Sequence, residues 1–275
     1  MKDERLSPQE MAWMMQEAKE NHEDVDWMLY LHQRADELFD ESKYSEYKFG
    51  GNIRRNTYWY YRLVLLSTML AAAERAYDTV KVKNVEKAVE KKPLQGLDVL
   101  EVGFGGEVEA EDRPHYLEIA QLGAKTWGLE HGKESVEMAK RNCESARDKF
   151  KGLNGEILLD PSQMRQGGME NLPKIFPYQK FDVVCSSTVF AHNPLAGTPE
   201  HIFDEGYKDA KAKDWMAKIA AVLKPGGLAI HNNMDDFHFP KPEAIEAMGY
   251  KILALNRRIE EAAPLVEYYS VFMKK

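Results

Sequence analysis

Leu97-Asp98-Val99-Leu100-Glu101-Val102-Gly103-Phe104-Gly105-Gly106 is the stretch whose reading decides the fold. Its first six residues form a short strand-like run that ends abruptly at glycines. Glycine at a strand end lets the backbone turn sharply and approach a ligand that a Cβ would obstruct. Outward from this run, the pattern predicts a helix over 115–122, a strand at Lys125-Thr126-Trp127-Gly128-Leu129-Glu130 and a helix over 133–150. Further strands are predicted at 156–159, 181–186, 227–231, 250–255 and 267–273. Strands alternating with helices indicate a mostly parallel, doubly wound α/β sheet. Ligands of such sheets bind beyond the carboxyl ends of the strands, at the switch point.

The 275 residues are 44% hydrophobic and 30% charged, which suits one large domain, or one domain with an appendage. Before Pro93 every signal is helical. Ser7 caps a helix that has Pro8 at its first position, and Trp27, Leu31, Ala35 and Leu38 share one face. Phe49-Gly50-Gly51-Asn52 breaks the pattern, and a long helix over 55–77 follows. The expected division is an N-terminal helical extension, 1–92, and a main domain, 93–275. Lys+Arg minus Asp+Glu is 37 − 45 = −8, which argues against a general binder of nucleic-acid backbones. The apolar run 58–73 is interrupted by Arg62 and too short for a membrane span. The start, MKDERLSPQE, lacks the apolar stretch of a signal peptide, so a cytoplasmic protein is expected. Cys143 and Cys185 provide neither a disulfide framework nor a multi-cysteine zinc site; both read as small apolar fillers, and no metal is expected.

The dinucleotide fingerprint Gly-x-Gly-x-x-Gly fails at Val108, which disfavours a nicotinamide-dependent dehydrogenase. Glu101-x-Gly103-x-Gly105, followed by Glu130 ending the second strand, instead resembles the class I methyltransferases that use S-adenosylmethionine. Asp160, Phe181-Asp182-Val183-Val184-Cys185-Ser186-Ser187, Leu223-Lys224-Pro225-Gly226-Gly227 and Tyr268-Tyr269-Ser270-Val271-Phe272 continue the resemblance in order, so that it covers residues 95–275. It implies a Rossmann-like seven-stranded sheet with an antiparallel last strand.

The resemblance also implies roles. Gly103 and Gly105, with Phe104 and Gly106, would form the turn past the methionine part of the cofactor, and Glu101 would support it. Glu130 would accept hydrogen bonds from the ribose hydroxyls. Asp160, read as ending the third strand, would face the adenine amino group, and Ser187 would line the cofactor site. His192, just past the fourth strand, is the candidate catalytic base, although methyl transfer from a sulfonium also proceeds by alignment alone. Asn193 and Asn232 are candidate substrate contacts. So are Tyr44 and Tyr47, on N-terminal helices read as a cover over the active site. Two departures stand out. The loop Glu107-Val108-Glu109-Ala110-Glu111-Asp112 is an acidic insertion, and 163–179 reads as a surface loop or lid.

The expected activity is direct methyl transfer from S-adenosylmethionine to a small molecule. No NPPY-type tetrad follows the fourth strand, and neither nucleic acid nor membrane is an expected partner; a homodimer is allowed. The alternative is a catalytically silent S-adenosylmethionine-binding or assembly protein of the same fold.

Overall fold

Val99 and Leu100, fully buried, lie inside the first strand, β1 (Asp98–Val102), which is central to the sheet. In this computed structural model the chain divides into two units, Met1–Pro93 and Leu94–Lys275. The structure describes residues 96–104, 115–121, 123–148, 150–152, 155–187, 189–201, 203–233, 238–259 and 267–275. The whole N-terminal region, and with it the proposed cover, lies outside the described residues.

The remaining strands are β2 (Lys125–Glu130), β3 (Leu159–Gln166), β4 (Phe181–Ser187), β5 (Leu223–Asn233), β6 (Tyr250–Ile259) and β7 (Glu267–Lys274). They form one seven-stranded sheet in the order β3-β2-β1-β4-β5-β7-β6. The first five strands pair in parallel, and β7 runs antiparallel to both β5 and β6. This is the doubly wound, Rossmann-like sheet with an antiparallel last strand. The order reverses between β1 and β4, which sets the switch point there.

Among the described residues the α-helices are α1 (His115–Gln121), α2 (Lys133–Ala146), α3 (Leu172–Ile175), α4 (His192–Ala196), α5 (Glu205–Val222) and α6 (Pro242–Ala247). Alternation along each strand sends side chains to two cores. On one face Leu100, Val184, Ala229 and Phe272 pack with Trp215, Met216 and Ile219 of α5. On the other, Tyr116 of α1 packs with Val136, Ala139 and Cys143 of α2 and with Met164 of β3. Burial pushes the Cys143 thiol up to about 12, and Cys185 is fully buried. At the end of the sheet away from the switch point, Lys224 Nζ lies 2.7 Å from Asp182 Oδ2 and 3.1 Å from Asp98 Oδ2, tying the starts of β5, β4 and β1 together.

The third strand corrects the sequence reading. A strand over 156–159 with a loop over 163–179 was expected; β3 instead begins at Leu159 and runs to Gln166. Pro161 reads as a strand breaker, but β3 is an edge strand, where a missing N–H costs no ladder bond. The proline also falls where the pairing with β2 shifts register, between Thr126 and Gly128. The supposed loop continues as a 3₁₀ turn, Met169–Asn171, and α3, with Met169, Leu172 and Phe176 buried.

His231, on β5, was not anticipated as a special residue. It is fully buried: Nδ1 lies 2.7 Å from Ser186 Oγ, while Nε2 has no hydrogen-bond partner among the described residues. The Phe190 ring lies 4.6 Å away, centroid to centroid. Burial drives its pKa from 6.5 down to about 3, so the folded protein holds it neutral. The unfolded chain takes up this proton near pH 6.5 and the folded chain only near 3. The stability linked to His231 is therefore present above about pH 6.5 and lost as pH falls toward 3. Between pH 7 and pH 5 this single group is expected to remove about 2 kcal/mol of stability. Urea unfolding at the two pH values checks this: the loss should be smaller by that amount in His231→Gln, and equal losses in both proteins would exclude the linkage.

Candidate functional site

The carboxyl ends of β1, β2 and β4, together with the residues after β3, open onto a cleft of about 600 Å³. Val102 and Gly103 line it from β1, Leu129, Glu130 and His131 from β2, and Ser187 from β4. Gly167, Gly168, Met169 and Glu170 form the wall beyond β3. Val189, Pro194, Gly197 and Trp215 line the end nearest α4 and α5.

Each wall has a local cause. Gly103 has φ of +67°, a conformation natural to glycine, and its N–H donates to Leu129 O at 2.8 Å, which fixes the turn against the end of β2. A Cβ on Gly103 would come within 2.6 Å of Val189 Cγ2, so this turn packs closely on the segment after β4. Glu130 is 6% exposed. Its Oε1 accepts the backbone N–H groups of His131 at 2.7 Å and Gly132 at 3.1 Å, and lies 2.6 Å from His131 Nδ1. The carboxylate is thus held by the backbone ahead of α2 rather than by its own rotamer preference. Gly167 N–H donates to Glu130 O at 2.9 Å, drawing the Gly167-Gly168 pair up to the same level.

Glu101 lies beneath the turn, 1% exposed. Oε1 is 3.0 Å from His115 Nδ1 on α1, and Oε2 is buried without a hydrogen-bond partner among the described residues. A buried carboxylate oxygen left unpaired costs about 1–3 kcal/mol or more, so this position calls for a donor. Gly105 and Gly106, the continuation of the turn, lie outside the described residues, as does the acidic loop 107–112.

One of the expected cofactor residues is placed elsewhere. Asp160 is the second residue of β3, close to the level of Thr126 at the start of β2, far from the strand's carboxyl end. Its carboxylate accepts from Ser162 N at 2.8 Å and lies 3.6 Å from Arg147 on the C-terminal side of α2. The hydrogen bonds from Ser162 hold it below the usual carboxylate range. The residue level with Glu130 is Gln166, so the wall assigned to Asp160 is formed by Gly167 to Glu170 instead. Phe104 keeps its place in the turn after β1. Its ring turns into the core between β2 and α1, edge-on to Tyr116 at 5.5 Å and against Gly128, where a Cβ would meet it at 2.8 Å. The bare backbone at Gly128 makes room for the ring, which is why it leaves the cleft.

Ser187 lines the cleft, and Asn232 stands beside it in the β4–β5 register. His192 and Asn193 open α4, whose Pro194 lines the cleft. The side chains of His192, Asn193 and Asn232 lie outside the described residues, as do Tyr44 and Tyr47 altogether. His131, Met169, Glu170, Pro194, Gly197 and Trp215 were not singled out from the sequence. The glycine pair at 167–168 was the one signal that could have found the β3 wall. Among the described residues no group of His, Cys, Asp and Glu is placed to hold a metal ion, and no helix is long and apolar enough to cross a membrane.

The donor set fits S-adenosylmethionine. A strand-end carboxylate suits a ribose diol, the glycine turn leaves backbone exposed, and Glu101 keeps an acceptor beneath that turn that no described residue pairs. Comparison with known proteins agrees. The family model described as a methyltransferase domain matches residues 100–231. No curated protein matches the chain in sequence. Among solved structures, the chain is similar to TrmN from Thermus thermophilus, at 14% identity and TM-score 0.42, over 70% of this chain and 48% of that one. It is similar to an S-adenosylmethionine-dependent methyltransferase from Clostridium acetobutylicum, at 15% identity and TM-score 0.42, over 70% and 89%. A TehB-like methyltransferase from Corynebacterium glutamicum gives 15% identity and TM-score 0.39, over 75% and 98%. The chain thus spans about half the length of the first of these, and likeness at this level says nothing of the acceptor. On the family match, the sheet order and the glycine turn with its strand-end glutamate, residues 100–231 carry a methyltransferase domain and the unit after Pro93 has the class I methyltransferase fold, whose cofactor is S-adenosylmethionine.

Proposed function

We propose that the protein is an enzyme that transfers a methyl group from S-adenosylmethionine to a small molecule by direct displacement. The observation that carries this reading is the cleft itself. At about 600 Å³ it is of the size that takes small ligands, and Pro194, Gly197 and Trp215 line its α4–α5 end. The net charge of −8 adds weight against a nucleic-acid acceptor.

Glu130 would hold the ribose hydroxyls, and Gly103 would give the backbone its close approach to the methionine part. Glu101 would take a donor from the turn or from the cofactor. When bound, S-adenosylmethionine supplies a sulfonium-activated methyl group, so the chain's task is chiefly alignment and exclusion of water. Val189, Pro194 and Trp215 would bound the acceptor side. His192, at the start of α4, would take the acceptor's proton where the acceptor carries one.

Incubating the full-length protein with methyl-labelled S-adenosylmethionine and size-fractionated cell extract tests the reading. Label is expected in the fraction of low molecular mass. Label confined to RNA or protein would overturn the small-molecule acceptor. Cofactor binding without label in any fraction would favour a silent binding protein.

A further inference from the structure

Among the described residues that line the cleft, two are carboxylates, Glu130 and Glu170. The wall that carries Glu170 folds for local reasons. Gly167 N–H donates to Glu130 O at 2.9 Å, which sets the start of this wall level with the end of β2. Met169 is buried, and Asn171 N–H donates to Gly168 O at 3.0 Å, closing the 3₁₀ turn Met169–Asn171. The turn brings the side chain of Glu170 back over Gly168, and Asn171 Nδ2 donates to Glu170 Oε1 at 3.3 Å. A Cβ added to Gly168 would come within 2.6 Å of Glu170 Cδ and would collide with both carboxylate oxygens. The Glu170 carboxylate therefore fills the space that a side chain at 168 would take, against a residue that is itself cleft wall. Gly168 has φ of −97°, open to any residue, so the backbone does not require a glycine here; its missing side chain leaves room for Glu170.

The sheet order determines which part of the cofactor meets this wall. β2 lies between β1 and β3. In a nucleoside the diol edge of the ribose is flanked by the 5′ substituent on one side and by the base on the other. With the diol at Glu130, on β2, and the methionine part at the Gly103 turn, after β1, the base falls on the β3 side, against Gly167 to Glu170. The edge of adenine carries an exocyclic amine with two N–H donors, and an ionised carboxylate is an acceptor only. Hypoxanthine carries a carbonyl oxygen in place of that amine, and two acceptors facing each other cannot pair.

We infer that Glu170 is the residue that selects the base of the cofactor, its carboxylate accepting from the amine of a 6-aminopurine and turning away the carbonyl of a 6-oxopurine. This inference rests on the placement of ribose and methionine parts proposed above, and it holds whatever the methyl acceptor is. Such a site discriminates strongly, because a ligand without the donor leaves the carboxylate unpaired against an opposing oxygen. The carboxylate comes from a turn beyond the edge strand rather than from the strand's own residues, since Asp160 lies at the far end of β3.

Calorimetric titration of the full-length protein with S-adenosylhomocysteine and with S-inosylhomocysteine tests this selection. The unaltered protein is expected to bind the adenosyl compound at least about tenfold more tightly. The amide of Glu170→Gln can accept from the amine or donate to the carbonyl, so this variant should bring the two affinities within about threefold of each other. Glu170 is exposed, so the substitution leaves the core intact. Equal binding of the two compounds by the unaltered protein overturns the inference, as does an undiminished preference in Glu170→Gln. A merely structural role for Glu170 would weaken both compounds by one factor and keep their ratio, which overturns it too. Failure of the ribose placement would appear separately, as unchanged affinity for S-adenosylhomocysteine in Glu130→Ala.

Discussion

Replacing Glu130 by alanine is expected to weaken S-adenosylhomocysteine binding ten- to hundredfold. Charge-assisted hydrogen bonds of the kind a carboxylate accepts from a ribose diol contribute roughly 1.5–3 kcal/mol. The geometry favours the upper half of that range, because the carboxylate is nearly buried and its orientation is fixed by the N–H groups of His131 and Gly132. The same substitution frees those two donors at the entry to α2, so a loss of about 1 kcal/mol in stability should accompany it. Calorimetric titration read beside thermal unfolding separates the two effects. Unchanged affinity in a folded Glu130→Ala protein would remove the residue from the cofactor site. Lost affinity with an unchanged melting temperature would mean that its backbone hydrogen bonds contribute nothing to the fold.

Phe181→Ala is expected to cost about 3–5 kcal/mol of folding stability, the range for deleting a fully buried phenyl ring. Phe181 is 0% exposed at the start of β4. It meets Phe176 at 5.3 Å and Trp127 at 5.9 Å, both edge-on, and Phe176 and Trp127 meet each other at 6.0 Å. Removing one ring of this triangle leaves two aromatic edges without partners and a cavity that rigid strands close only in part. Urea unfolding should show a lower midpoint at unchanged slope. A loss under about 1 kcal/mol would mean that the site collapses freely and that this triangle is not a main support of the core. Phe176 also anchors the end of the segment that runs from Gly167 through α3, so the β3 wall of the cleft should loosen. A smaller, measurable drop in cofactor affinity is expected with the loss of stability.

The reading from residue types succeeded where the signal was local. The apolar run before Gly103, the carboxylate ending Lys125–Glu130 and the apolar run of Phe181–Ser187 each state their own role, because strand period and glycine turns are fixed within a few residues. Together with their order along the chain they were enough for the doubly wound sheet and for placing Glu130 and Gly103 at its ligand end. What the sequence left undetermined depended on neighbours distant along the chain. Pro161 looks like the end of a strand until the sheet order puts β3 on the edge, and only then does Asp160 become a strand start and Gly167-Gly168 a cleft wall. Phe104 sits within the cofactor turn in the sequence, but the space over Gly128 draws its ring into the core. Trp215 belongs to α5, a helix without a marked apolar stripe in the sequence, and only its packing beside Pro194 and Gly197 brings it to the cleft. Strand period and turn chemistry are local and were legible; the pairing of elements and the packing of side chains between them are cooperative, and only the tertiary structure decided which side chains face the cleft.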